Sequence, residues 1–445
     1  MGGKAFPLPT PRMPPDVYQL VKRRCHAILK QHFRLVGTPI EGPEKEDFGD
    51  VDFLVTGPRA QLVGSILFHT LGQAMGAVSC VGSVPKSFAV PWPVVTGTPV
   101  PGDGDVVPGS QAQHLQAGEA RFVQVDVSIC ADDAAWEWEM FLLAHGDLWS
   151  MLGSSIKPAG LTINDKGLWL RIEEMEALDR RKSLIFLTRV PQRVLEFLGL
   201  DEGAYGLFGA DGPSVDGEDA RDSTFTSAWQ MFEYVASCRL FWTAPSPSPS
   251  SKIDSEQAVE QTDPSKATPR HDDLPLHQSL GRDDRMENSP RALKNDHDHR
   301  RRMAQRPVFR RYVDEFLPHC RASGRYPTSQ PSREKIKEEA YTTFGDALRV
   351  EYDDRLRPWR RNQQNNAIWR AVIETHVPVE GVDPRVRARA IKRLKRFIED
   401  RGRRDGERFV ATEAAFTDRE GVYVTDVVAR FVAGNWDKMG QGAAR

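Results

Sequence analysis

The 445-residue chain predicts an α+β fold in which a mixed sheet with flanking helices is followed by a disordered linker and a mainly helical C-terminal module. Three observations carry that prediction. Two β-branched runs, Asp50-Val51-Asp52-Phe53-Leu54-Val55 and Phe122-Val123-Gln124-Val125-Asp126-Val127-Ser128-Ile129, sit among helical stretches over residues 1–242. Across 243–300 the composition turns to Pro, Ser, Asp and Lys, beginning Ala244-Pro245-Ser246-Pro247, which buries too little apolar area to offset its ordering entropy. Beyond residue 301 apolar side chains recur at helical spacing.

Taken in order, Pro14-Pro15-Asp16 opens a helix running to about Phe33, with Val17, Leu20, Val21, Ile28 and Leu29 on its apolar side. The Asp-x-Asp strand follows, then a helix over about 59–75 and a strand from Val78 with Ser87-Phe88-Ala89-Val90 before Pro91. Residues 93–118 are rich in Gly, Pro and Val and read as a surface insertion between two strands. Its tip, Pro101-Gly102-Asp103-Gly104-Asp105, lacks the ligand series and terminal Glu of a calcium loop. After Asp126 a helix spans 134–145 and a second opens at Gly146-Asp147-Leu148-Trp149, with Trp136, Trp138, Phe141 and Trp149 read as core. The stretch 161–171 is a hairpin turning at 164–167, and 186–200 leads from a strand end into a helix closed by Gly199.

In the C-terminal module helical spacing marks 308–316, 332–341, 344–352, 366–374 and 384–400. The last of these places Val386, Ala390, Ile391, Leu394, Phe397 and Ile398 on one stripe. Arg385, Arg387, Arg389, Lys392, Arg393, Lys395 and Arg396 fill the remainder. Such a helix binds nucleic acid or another acidic surface, or is a solvated face over a local core.

A formal net charge of −2 conceals an asymmetry, because residues 301–445 carry a net +10 and residues 1–300 a net −12. The acidic part suits cation binding; the basic part suits a polyanion or docking on the acidic part. Five scattered cysteines without Cys-x-x-Cys spacing argue for reduced thiols and against zinc. With no membrane-length apolar run and no secretory signal, the expectation is a soluble intracellular chain that avoids the membrane.

The chemistry concentrates in Asp50 and Asp52. At i and i+2 of a strand they share one face, where two carboxylates repel unless a hard cation neutralises them. The pair otherwise reads as an edge-strand or loop feature facing solvent. Asp126 sits at the centre of its own β-branched run. If that strand lies beside the first, three carboxylates can hold two ions about 3.5–4 Å apart.

These residues resemble the nucleotidyltransferase superfamily of DNA polymerase beta type, which pairs a Gly-Gly or Gly-Ser turn with an Asp-x-Asp strand and a later Asp-bearing strand. The run Pro43-Glu44-Lys45-Glu46-Asp47-Phe48-Gly49-Asp50-Val51-Asp52-Phe53, with Trp138-Glu139-Met140-Phe141 and Asn164-Asp165-Lys166-Gly167-Leu168-Trp169, is similar to a group of fungal proteins expected to share this fold. The resemblance covers residues 1–242 and implies a nucleotidyltransferase-like domain. It implies that Asp50 and Asp52 bind the Mg (or Mn) ion carrying the NTP phosphates. Asp126 would complete a second metal and favour deprotonation of an acceptor hydroxyl. Gly2-Gly3 matches the glycine motif, but it lies more than forty residues upstream of the Asp pair, where the family has a turn after a strand and only a short helix between; a plain flexible N-terminus is the other reading. Lys157 and Lys166 either reach a triphosphate as point charges or are ordinary surface lysines. The expected organisation is this domain over 1–242, a linker over 243–300 and a basic module over 301–445 that binds RNA or other nucleic acid. A chain that keeps the fold as a binding or scaffold protein without catalysis is the alternative.

Overall fold

The computed structural model describes residues 5–59, 64–82, 85–93, 120–209, 212–213, 224–243, 306–400 and 415–441. Gly2-Gly3, nearly all of the 93–118 insertion and the 244–300 linker lie outside these residues. Two compact units are present, one of Met1–Leu170 with Phe186–Phe344 and one of Arg171–Ile185 with Gly345–Arg445. The basic stretch that begins near residue 301 is therefore shared between them.

In the first unit α1 (Pro15–His32) starts with Pro at its first position, where a missing N–H costs nothing, and passes directly into β1 (Phe33–Gly37). β2 (Asp50–Pro58), α2 (Gly64–Met75), β3 (Ser79–Val81), β4 (Lys86–Pro91) and β5 (Phe122–Ile129) complete a mixed five-stranded sheet of order β1-β2-β5-β4-β3. Only β2 and β5 run parallel; the other neighbours are antiparallel.

The pleat then decides what faces what. Val51, Phe53 and Val55 of β2, with Val123, Val125 and Val127 of β5, point to one face and pack with Val17, Val21, Cys25 and Leu29 of α1 and Leu67, Leu71 and Met75 of α2. Asp50, Asp52, Gln124 and Asp126 fall on the opposite face. A one-residue slip of β2 would drive both of its carboxylates into the α1/α2 core, so burial of the valine rows fixes the register.

α3 (Asp133–Leu143) follows β5, its N-cap Asp132 accepting from Ala135 N–H at 2.7 Å. Its Trp136 indole donates to the Leu54 carbonyl at 2.9 Å, pinning the helix to β2. α4 (Leu148–Ile156) leads to a second sheet of β6 (Leu161–Asn164), β7 (Gly167–Arg171) and, beyond the short α5 (Glu173–Glu176), β8 (Leu184–Thr188). The predicted hairpin is present, with Asn164 paired to Gly167 across its turn. α6 (Pro191–Leu198) ends on Gly199 in the left-handed conformation (φ 67°). α7 (Glu202–Tyr205), a two-residue strand pair β9 (Phe208–Gly209) and β10 (Gly212–Pro213), and α8 (Ala228–Ala236) follow. Trp136, Trp138, Phe141 and Trp149 are buried, as predicted. α9 (Pro307–Arg311) continues through a π-helical turn, Tyr312–Phe316, into α10 (Leu317–Ser323), and α11 (Arg333–Phe344) closes the unit.

The second unit is built on α12 (Ala347–His376), α13 (Pro384–Glu399) and α14 (Thr425–Gln441), and it also takes in α5. α12 joins the predicted helices at 344–352 and 366–374 into one. Pro358 lies inside it, giving up one backbone hydrogen bond that the helix-favouring residues around it absorb. α14 was not predicted, yet Val428, Phe431, Val432 and Met439 of this helix pack with Leu394, Phe397 and Ile398 of α13 and Trp369, Val372 and Ile373 of α12. No helix among the described residues is long and apolar enough to cross a membrane.

Candidate metal centre

Parallel pairing of β2 with β5 sets Asp52 directly opposite Asp126 and Asp50 opposite Gln124. One carboxylate oxygen from each of Asp50, Asp52 and Asp126 lies within 4.8 Å of the others. The three come from two strands held by their own ladder hydrogen bonds, so they cannot separate without breaking the sheet. No Lys, Arg or His among the described residues forms an ion pair with any of them.

The electrostatic consequences are visible in the proton affinities. Asp52 is pushed up to about 7, chiefly because surrounding protein strips it of water, and then by the charges of Asp50, Asp126 and Glu41. It keeps an open side toward solvent while protein crowds the rest. Asp50 is also raised, by burial first and Asp126 second. Three oxygen donors that destabilise one another when charged suit a hard divalent cation, which neutralises the repulsion and accepts carboxylate ligands. The residues therefore fit the group that the carboxylate pattern implies.

The loop leaving β1 lines this face. Glu41 accepts from the Tyr18 hydroxyl at 2.7 Å and pairs with Lys45 at 2.6 Å. Phe48 stacks on Tyr18, with ring centroids 3.8 Å apart, and Lys45 lies over the Phe48 ring. Lys45 partly offsets the charge at Asp50 and Asp52. Glu44, at φ 58°, anchors the loop by accepting from Ala228 N–H and from Arg311, contacts that hold its carboxyl below the usual range.

Of the other residues singled out in the sequence, Lys157 caps α4 and Lys166 occupies the exposed β6–β7 turn, its N–H held by Asn164 at 2.9 Å. Sequence reading overlooked Gly37-Thr38 at the end of β1. The Gly37 position admits no side chain, because a Cβ there would lie 2.7 Å from Trp136 Cζ2. Thr38 Oγ1 is buried without a protein partner. The signal was available as a short, mostly apolar run, Phe33-Arg34-Leu35-Val36, ending in a glycine thirteen residues before Asp50, overshadowed by the Gly-Gly at the start of the chain. Gln124 and Ser87, which stands opposite Asp126 on β4, also share the acidic face and were not singled out.

No protein-family model matches the chain, and no curated protein matches it. Among solved structures it is similar to a Leishmania infantum polymerase beta crystallised as a ternary P/T complex. The identity is 12%, covering 43% of this chain and 74% of that one with a TM-score of 0.28, so the reading of the site rests on the side chains themselves.

Proposed function

We propose that the first unit performs metal-dependent nucleotidyl transfer from an NTP to a hydroxyl acceptor. The observation that supports this reading is the convergence of Asp50, Asp52 and Asp126 within 4.8 Å on one face of a parallel strand pair, without a paired cation. Asp50 and Asp52 would hold the ion on the triphosphate side and Asp126 would complete the site on the acceptor side. When bound, magnesium or manganese supplies charge neutralisation at the phosphate oxygens and at the attacking oxygen. In the transfer the acceptor oxygen bonds to the α-phosphorus, the bond to the bridging oxygen breaks and pyrophosphate leaves, while the hydroxyl proton passes to the Asp126 carboxylate.

Gly37-Thr38, rather than Gly2-Gly3, takes the place of the strand-ending glycine turn in this reading. It follows β1, which is antiparallel to β2, so the chain leaving Thr38 runs back toward the Asp52 end. The acceptor is an open class, with RNA or another nucleic acid one candidate that the basic C-terminal sequence would favour. Calorimetric titration of Mg²⁺ or Mn²⁺ with each NTP tests the reading. Metal-dependent NTP binding that disappears in Asp50→Asn/Asp52→Asn supports it, and folded wild-type protein that binds none overturns it in favour of a non-catalytic scaffold.

A further inference from the structure

We infer that Gln124 is a positioning residue for Asp126 and that it couples the N-terminal segment at Ala5 to the carboxylate centre, an inference that rests on the reading of that centre as a cation site. At the acidic end of this face the two parallel strands set four side chains together, Asp50 and Asp52 on β2 and Gln124 and Asp126 on β5. Three are acids and the fourth is an amide. Both ends of that amide are committed. The Ala5 N–H donates to Gln124 Oε1 at 2.9 Å, and because a backbone N–H can only donate, the atom facing it must be the carbonyl oxygen. Gln124 Nε2 is thereby turned toward Asp126, where it lies 2.9 Å from one carboxylate oxygen and 3.1 Å from the other.

Gln124 is only 5% exposed, so bulk water does not readily replace these bonds if either is lost. The donor is also neutral. A Lys or Arg at this position would orient Asp126 equally well but would cancel the negative charge that attracts a cation. The amide fixes the carboxylate and leaves its charge in place, as outer-shell partners of metal ligands commonly do. The segment that supplies Ala5 is itself held in register: Phe122 N–H donates to the Pro9 carbonyl at 2.9 Å, and Met13 and Phe48 exchange backbone bonds of 2.7 and 2.9 Å. Position 5 is thus tied to the edge of β5 and to the loop that carries Lys45.

The test is calorimetric titration of Mn²⁺ alone into the full chain, with electron paramagnetic resonance of the bound ion, for wild type, Asp126→Asn, Gln124→Met and Ala5→Pro. Wild type should bind and Asp126→Asn should lose most of the affinity. Gln124→Met, folded by near-UV circular dichroism, should bind about 10- to 100-fold more weakly, with an altered resonance line shape reporting a rearranged ligand set. Ala5→Pro keeps every side chain of the centre and removes the N–H that orients the amide; a loss of about threefold is expected. Binding within about twofold of wild type and an unchanged spectrum in the folded variants would make Gln124 a purely structural tie and overturn the inference. Should Gln124→Met not fold, Ala5→Pro decides alone by the same criterion. Wild type that takes up no Mn²⁺, or Asp126→Asn that binds normally, overturns the cation-site reading and this inference with it, a pattern distinct from failure in the Gln124 and Ala5 arms only.

Discussion

The acidic face of the β2/β5 pair and the basic helix α13 each gather like charges, and the fold treats them in opposite ways. On the sheet three carboxylates converge and no cation among the described residues pairs with them. On α13 much of the charge is already employed: Arg389 and Arg393 donate to the carbonyls of Gly440 and Met439 near the end of α14, at 3.4 and 3.2 Å, and Arg396 pairs with Asp400 at 3.7 Å. Leu394, Phe397 and Ile398 on the same helix are core. Charge density alone therefore does not mark a site. The difference lies in what the fold supplies: hydrogen-bond or ion-pair partners for the arginines of α13, and no ion-pair partner among the described residues for the carboxylates.

The comparison breaks most sharply at the carboxylates. Asp50→Asn/Asp52→Asn should abolish metal-dependent NTP binding and lower any transfer activity by at least about 10³-fold, roughly 4 kcal/mol of lost transition-state stabilisation. The same pair of changes should raise the melting temperature of metal-free protein at pH 8, because it removes repulsion among the three carboxylates. A metal-free variant that melts lower than wild type would show that the carboxylates are structurally satisfied after all.

Phe431→Ala in α14 should cost about 3–5 kcal/mol of stability in the second unit, since its ring is fully packed and stacks on Phe397 with centroids 4.9 Å apart. Mn²⁺ affinity should stay within about twofold of wild type. Loss of metal binding in this variant would mean that the two units do not act independently.

How much of this was legible in the sequence differs between the regions for a physical reason. The period-2 valine rows and the i, i+2 carboxylates identify a strand with one acidic face from local pattern alone. That Asp126 stands opposite Asp52, however, depends on which strand lies next to β2, and the sequence expresses that only as a resemblance. Gln124 was unreadable because its role comes from register with Asp50 and from an N–H 119 residues away. In the second unit the stripe on α13 was plain. Its partner α14 was not, because Gly434, Asn435 and Gly440 interrupt its apolar pattern. One of those glycines has a packing cause: a Cβ at Gly440 would lie 2.7 Å from Val386 Cγ1.

Acid titration sharpens the contrast within the first unit. His145 is fully buried, with Nε2 against the Tyr205 carbonyl at 2.8 Å and Nδ1 without a partner, and burial pushes its pKa down to about 4 from 6.5. The unfolded chain then binds the proton more readily than the folded one, so His145 removes up to about 3 kcal/mol of stability as pH falls from 6.5 to 4. Asp52 has the opposite sign. Its pKa is raised to about 7 from 3.8, so the folded state holds the extra proton and stability falls as pH rises through that interval. The two slopes partly cancel in wild type. Asp52→Asn removes one of them, and its acid denaturation, followed by near-UV circular dichroism, should be steeper between pH 6.5 and 4 than that of wild type. An unchanged slope would show that Asp52 titrates near its ordinary value.

The smallest effects separate employed from idle charge on α13. Arg389→Gln/Arg393→Gln removes two hydrogen bonds to terminal carbonyls of α14 and should cost about 1–2 kcal/mol in the second unit, whereas Lys392→Gln/Lys395→Gln should stay within about 0.5 kcal/mol. The pairs carry the same net charge change, so any nonspecific effect of charge on stability cancels between them. Equal melting temperatures would mean that the arginine contacts contribute nothing to the fold and that the whole basic helix is available to a polyanion. Unequal ones leave Lys392 and Lys395 as the positions whose loss should weaken nucleic-acid binding without touching the core, with a salt dependence that falls by about one unit of slope for each phosphate contact removed.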